Sequence, residues 1–200
     1  MTFQSKTGVK NAAQFMALIG YVFTQNAEVT IDSVDNFGEI IAENADGNNQ
    51  GGANAFHIAG IVGFSTATVD TQHFVTISDC SNEGNMTSAT CRTSGICAAA
   101  NRRTKMVNCI NKGNQLNSCP GPDKGRIANI ACNVANVSSM TGCVNYGDII
   151  STTSARTAGI ANLSNNCEFT NCANYGNVQS DNKYRGLFWA YNNGLASWSS

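Results

Sequence analysis

Two hundred residues suffice for one domain with a sizeable core, and with 12 Lys and Arg against 13 Asp and Glu the chain has a net charge of −1. That balance gives no basic surplus for a nucleic-acid backbone or an anionic membrane surface. No apolar run approaches the roughly 20 residues of a membrane span, and 42% hydrophobic residues exclude a disordered chain.

In chain order, residues 1–28 read as an N-terminal cap. Residues 11–25 predict an amphipathic helix, with Asn11 as N-cap and Gln14 completing a capping-box-like pair. Ala12, Phe15, Met16, Ile19, Val22 and Phe23 fall on one face of that helix. A signal peptide is the competing reading, with Lys6 and Lys10 ahead of the apolar stretch. Gln25 stands where its cleavage site needs a small residue.

From residue 29 to 200 the chain repeats itself. One heptapeptide occurs five times, as Val34-Asp-Asn36-Phe-Gly38-Glu-Ile40, Cys80-Ser-Asn82-Glu-Gly84-Asn-Met86, Cys109-Ile-Asn111-Lys-Gly113-Asn-Gln115, Cys143-Val-Asn145-Tyr-Gly147-Asp-Ile149 and Cys172-Ala-Asn174-Tyr-Gly176-Asn-Val178. The copies are spaced by 46, 29, 34 and 29 residues, and the long gap carries an Asn/Gly-rich insertion around Asp46 and Asn48. Three residues before each copy stands an apolar residue: Ile31, Ile77, Met106, Met140 and Phe169. After it comes Gly60-Ile61, Gly95-Ile96, Arg126-Ile127, Gly159-Ile160 or Gly186-Leu187. Each repeat therefore offers three short apolar stretches, which read as strands of three to five residues divided by Asn/Gly/Ser turns.

A right-handed parallel β-helix of about five coils satisfies this pattern. Equivalent residues stack about 4.8 Å apart over roughly 24 Å, so each column keeps its residue type. Asn at the turn can join a side-chain amide ladder and tolerates left-handed backbone, while Gly supplies positive φ. The helix over 11–25 closes one mouth. Leu187, Phe188, Trp189, Tyr191, Leu195 and Trp198 close the other, or are the face from which further coils continue.

Ala59-Gly60-Ile61-Val62-Gly63-Phe64, followed by Ile77 and the Cys80 heptapeptide, resembles the GLUG-type repeat, as does Ala158-Gly159-Ile160-Ala161 followed by the Cys172 copy. The resemblance covers roughly residues 29–190. It implies a right-handed β-helix in a secreted or surface-attached bacterial protein, adhesin-like, and brings no catalytic residue and no cofactor. The chain departs from the pattern at Gly125-Arg126-Ile127 and at Gln115, where an apolar residue is expected.

Cys80, Cys109, Cys143 and Cys172 share one column and read as small interior hydrophobes, as does Cys97. Cys91, Cys119, Cys132 and Cys167 are less regular, and a disulfide among them stays open. No C-x-x-C occurs, and neither histidine lies near a cysteine pair at zinc spacing, so no metal site is expected. His57 and His73 read as surface or turn residues. Glu39, Asn85, Asn114, Asp148 and Asn177 form an outward carboxylate/amide strip that could contact sugar hydroxyls or calcium, or be a solvated turn ladder. Polysaccharide lyases and glycoside hydrolases use this architecture, with Arg102, Arg103 and Lys105, or Asp181, Lys183 and Arg185, as candidate groups. The acids, however, are scattered singly. The residue before each motif Gly (Phe37, Glu83, Lys112, Tyr146, Tyr175) should point outward, and Tyr146 and Tyr175 fall one coil apart. Tyr146, Tyr175 and Phe37 are therefore the candidate ligand contacts, for a glycan or a host surface protein. The expected role is non-catalytic binding, with a structural stalk as the alternative and self-association through the coil ends as a further possibility.

Overall fold

The computed structural model describes residues 2–4, 15–43, 56–69, 72–89, 92–118, 126–152, 156–163, 166–181, 185–190 and 196–199. Among them every regular element is a strand, and every strand pairing is parallel. Parallel pairing follows from the repeat, because equivalent segments of successive copies run the same way and present the same residue types to one another.

Four sheets result, and the chain visits them in the same order in every repeat. Val29–Asp32, Val75–Ser78, Thr104–Val107, Ser138–Thr141, Cys167–Thr170 and Ala196–Ser199 form one. In it Ile31, Ile77, Met106, Met140 and Phe169 share a column, all buried. Next come two-residue strands that end on the motif asparagines, Asp35–Asn36, Ser81–Asn82, Ile110–Asn111, Val144–Asn145 and Ala173–Asn174. A third sheet holds Thr2–Gln4, Ile40–Glu43, Met86–Ser88, Gln115–Asn117, Ile149–Ser151 and Val178–Ser180. The fourth has ten strands in two ladders joined through the long strand Arg156–Leu163, which belongs to both. The main core lies inside, built on Ile61, Ile96, Ile130, Ile160 and the Cys80, Cys109 and Cys143 column.

The helix expected over residues 11–25 does not form. Residues 11–14 lie outside the described residues, and the rest is Phe15–Met16 and Ile19–Thr24, two strands of the ten-stranded sheet. Phe15 pairs with His57 and Ile19 with Val62, so the segment continues the repeats. Its apolar residues suit a helical face, but Tyr21 and Phe23 are exposed and Val22 and Thr24 buried, which is the alternation of a strand. At the other end, Arg185–Ala190 and Ala196–Ser199 also pair onto the ladders, while Tyr191 and Leu195 lie outside the described residues.

Two local expectations are also corrected. The left-handed residue of each turn is the one before the heptapeptide: Ser33, Asp79, Asn108, Gly142 and Asn171 have φ between 49° and 65°. The motif glycines serve close approach instead. A Cβ on Gly84, Gly113, Gly147 or Gly176 would lie 2.0–2.1 Å from the carbonyl oxygen of the preceding copy's Gly. The second correction concerns the third Gly-Ile pair, which is Asn129-Ile130 and not Arg126-Ile127, because Ala128 pairs with Ser94 and Ala158.

The motif asparagines face inward and form a continuous ladder. Nδ2 of Asn36, Asn82, Asn111 and Asn145 donates to Oδ1 of the next copy's Asn at 2.7, 2.8, 2.9 and 2.6 Å. Each also donates to the carbonyl of the Gly two residues on, at 2.8–3.0 Å. Gln115, the departure from an apolar column, is buried and donates from Nε2 to Ala128 O at 3.1 Å.

Candidate functional site

Because each motif Asn points inward, the residue after it points out. Phe37, Glu83, Lys112, Tyr146 and Tyr175 form an exposed stripe across successive repeats, with Phe37 72%, Tyr146 54% and Tyr175 70% accessible. The Tyr146 and Tyr175 rings stack with centroids 5.2 Å apart and planes 15° from parallel. Phe37 does not join them, because Glu83 and Lys112 stand between. Lys112 Nζ reaches Glu83 Oε1 at 2.7 Å, and that carboxylate holds the ammonium above the ordinary lysine range. The tyrosine rings share their inner faces, so they offer solvent their edges, hydroxyls and outer faces. The chain uses the same stacking at Tyr21 and Phe64, with centroids 5.6 Å apart.

The carboxylate/amide strip is engaged in a second ladder. Asn85 Oδ1 accepts from the backbone N–H of Asn114 at 3.0 Å, Asn114 Oδ1 from that of Asp148 at 2.9 Å, and Asp148 Oδ1 from that of Asn177 at 2.8 Å. These oxygens satisfy the turns of neighbouring repeats. Among the described residues no group of three or more His, Cys, Asp or Glu is placed to hold a metal ion. Asp46, Asn48 and Lys183 lie outside the described residues.

Two of the lyase-type candidates, Arg103 and Lys105, are also engaged. Arg103 lies over the Phe74 ring at 5.4 Å and Lys105 Nζ over the same ring at 3.9 Å. Arg102 and Arg103 form a left-handed turn with φ of 55° and 53°, tied through their N–H groups to Ala135 O and Asn136 O. His57, expected at the surface, is buried in a strand, edge-on to Phe64 at 5.2 Å. Arg92 can only donate, so His57 Nε2 accepts from its Nη1 at 2.7 Å. His73 lies 3.8 Å from Glu28.

Seven cysteines are described, all with free thiols, and all are buried except the half-buried Cys172. Hydrogen bonding to Cys109, reinforced by burial, raises the Cys80 thiol; bonds to Cys109 and Cys172, with burial, raise Cys143. Burial, reinforced by the neighbouring Cys109 and Cys132, raises Cys97, and burial pushes Cys167 up to about 12. Cys172, at the end of the column, is hydrogen-bonded by Cys143 and brought down to about 7. Its thiolate therefore gains population as pH rises through about 7. Cys109 is brought down further, to about 4, by bonds from Cys143 and Cys80, but it is fully buried. Native alkylation followed by peptide mapping should therefore label Cys172, the one of these seven that is not buried, first and at a rate that climbs through neutral pH. Equal labelling of Cys143 and Cys172 would contradict this order.

Sequence reading missed one column. Arg92, Arg126 and Arg156 occupy equivalent positions on successive strands of the ten-stranded sheet. The signal was present in Arg92-Thr-Ser-Gly-Ile96 and Arg156-Thr-Ala-Gly-Ile160, but taking Arg126-Ile127 as the third Gly-Ile pair hid it. No family model, curated protein or solved structure matches this chain.

Proposed function

We propose that the chain is a right-handed parallel β-helix segment of a secreted or surface-attached protein, adhesin-like and non-catalytic, that holds a glycan or host surface protein against one side. The observation that carries the reading is the exposed aromatic pair Tyr146 and Tyr175, set on a turn column whose neighbours are rigidly laddered. The strict order in which the four sheets are revisited supports the β-helix, and the near-universal hand of parallel crossovers supports the right-handed form. The commitment of Asn85, Asn114 and Asp148 to axial hydrogen bonds, and of Arg103 and Lys105 to Phe74, supports a binding role over a lyase or hydrolase. A sugar ring would pack on the open face of Tyr175 and hydrogen-bond the hydroxyl edge of the pair.

Retention of the purified chain on a panel of host and plant polysaccharides, with release of reducing ends and unsaturated product read in the supernatant, tests this. We expect retention without product, and a loss of about tenfold in affinity when Tyr146 and Tyr175 are both replaced by alanine. Product release would move the chain to the polysaccharide-cleaving class. Retention by nothing on the panel favours a stalk.

A further inference from the structure

Cys80, Cys109, Cys143 and Cys172 follow one another on successive repeats. Backbone hydrogen bonds hold them in register, from Ile110 N–H to Cys80 O at 2.9 Å, Val144 N–H to Cys109 O at 2.9 Å and Ala173 N–H to Cys143 O at 3.0 Å. Each sulfur lies against the carbonyl oxygen two residues before it, at 3.1–3.7 Å, so all four thiols hang the same way. Neighbouring thiols are hydrogen-bonded along the column, Cys80 to Cys109, Cys109 to Cys143 and Cys143 to Cys172. Equivalent residues of stacked strands lie about 4.8 Å apart, inside the roughly 4.4–6.8 Å that separates the α-carbons of a disulfide. Three of the four are buried and Cys172 is half-buried. The column therefore sets a thiol that solvent can reach beside one that it cannot.

We propose that Cys172 and Cys143 form a dithiol site that reacts with a low-molecular-weight disulfide, such as glutathione disulfide, and closes as a Cys143–Cys172 disulfide. The Cys172 thiolate attacks one sulfur of the reagent, whose S–S bond breaks and releases one thiolate. The Cys143 sulfur then attacks Cys172 Sγ, the mixed disulfide breaks, and the second half of the reagent leaves. The two protein thiol protons pass to the two released thiolates, so the chain loses two electrons and the reagent gains two. Access and acidity set the order of the two steps. Cys172 is reachable and held at about 7, so it supplies thiolate at neutral pH. Cys143 is buried and raised, and meets a disulfide only when one stands on its neighbour. Cys109 is lower still but is buried between Cys80 and Cys143. The new bond would tie together the two repeats that present Tyr146 and Tyr175, each three residues after one of these cysteines. This chemistry does not depend on any glycan held at those rings.

The test exposes the whole reduced chain, freed of reductant and kept from air, to glutathione disulfide at neutral pH. Samples quenched in acid are read by intact mass and by peptide mapping without reduction. We expect a glutathionyl adduct on Cys172 that gives way to a product two hydrogens lighter than the reduced chain, with the Cys143 and Cys172 peptides joined. Cys143→Ser should stop at the adduct and accumulate it, and Cys172→Ser should slow reaction at Cys143 by at least about tenfold. Far-UV ellipticity and melting of each variant report its fold. If a serine variant does not fold, the joined peptides of the parent decide alone. An adduct on Cys172 that persists in the parent would overturn the site, as would a disulfide joining other cysteines in place of this pair. So would a folded chain that does not react, or a Cys172→Ser variant in which Cys143 reacts at the parent rate.

Discussion

Alanine at Gly113 should cost more than about 4 kcal/mol and deplete the folded population, whereas alanine at Gly38 should melt within about 2 °C of the parent. The chemical change is identical and neither glycine has positive φ, so backbone freedom cannot separate them. What separates them is the neighbouring repeat. A Cβ at Gly113 would lie 2.0 Å from Gly84 O, 2.7 Å from Gly84 C and 2.8 Å from Asn82 Nδ2. The first two are backbone atoms, and the third is a buried amide nitrogen held by its hydrogen bonds to Gly84 O and Asn111 Oδ1. Relief requires the two repeats to part, which breaks the strand hydrogen bonds on both sides of the turn. At Gly38 the nearest atom is Asn36 Oδ1 at 3.6 Å, an ordinary contact. Thermal unfolding of the two variants followed by far-UV ellipticity reads the difference. Similar melting of both would mean the glycine stack is not the close-packed element described.

The second large effect is expected at Asn111. Its side chain is fully buried, donates to Gly113 O at 2.8 Å and Asn145 Oδ1 at 2.9 Å, and accepts from Asn82 Nδ2 at 2.8 Å. Asn111→Ala leaves an amide hydrogen of Asn82 and the Gly113 carbonyl short of partners, at about 1–3 kcal/mol each, and opens a small cavity besides. A loss of about 3–5 kcal/mol in denaturant unfolding is expected, against under about 1 kcal/mol for Asn177→Ala on the exposed ladder. Asn111→Asp supplies a pH signature. An ionised carboxylate there would face two acceptors, so the folded state favours the protonated acid and its pKa rises above the unfolded value of about 3.9. That contribution is fully present below about pH 3.9 and fades as pH rises through the folded-state pKa, so this variant should gain stability on acidification relative to the parent. A flat difference across that range would show that residue 111 does not sit within an acceptor-rich ladder.

Much of this was legible from the sequence because a stacked repeat writes its columns into the chain. The five copies gave the register of Ile31, Ile77, Met106, Met140 and Phe169, and the invariance of Asn within the copies signalled an amide ladder. The rest failed for identifiable reasons. The Ile19–Thr24 strand was hidden because Ala17-Leu18-Ile19-Gly20-Tyr21 echoes Ala59-Gly60-Ile61-Val62-Gly63-Phe64 with one residue missing, and its apolar spacing also fits a helical face. The role of the motif glycines was misread because close approach comes from another repeat, which no single copy reveals. The stacking of Tyr146 on Tyr175 followed from their spacing, but the mutual covering of their faces did not. The separation of Phe37 from them follows from Glu83 and Lys112 lying between, which the column order already contained.

Among the described residues the strand hydrogen bonds between repeats run along the direction in which the repeats stack, and strands pair with their equivalents in the neighbouring repeats. A pull applied along that direction loads those bonds in tension and not in shear, and the outermost turn yields before any inner one. A turn of 29 residues, as between Glu83 and Lys112, then pays out about 100 Å of extended chain. Such a segment gives way in instalments under load, lengthening by discrete steps while the remaining turns keep their packing.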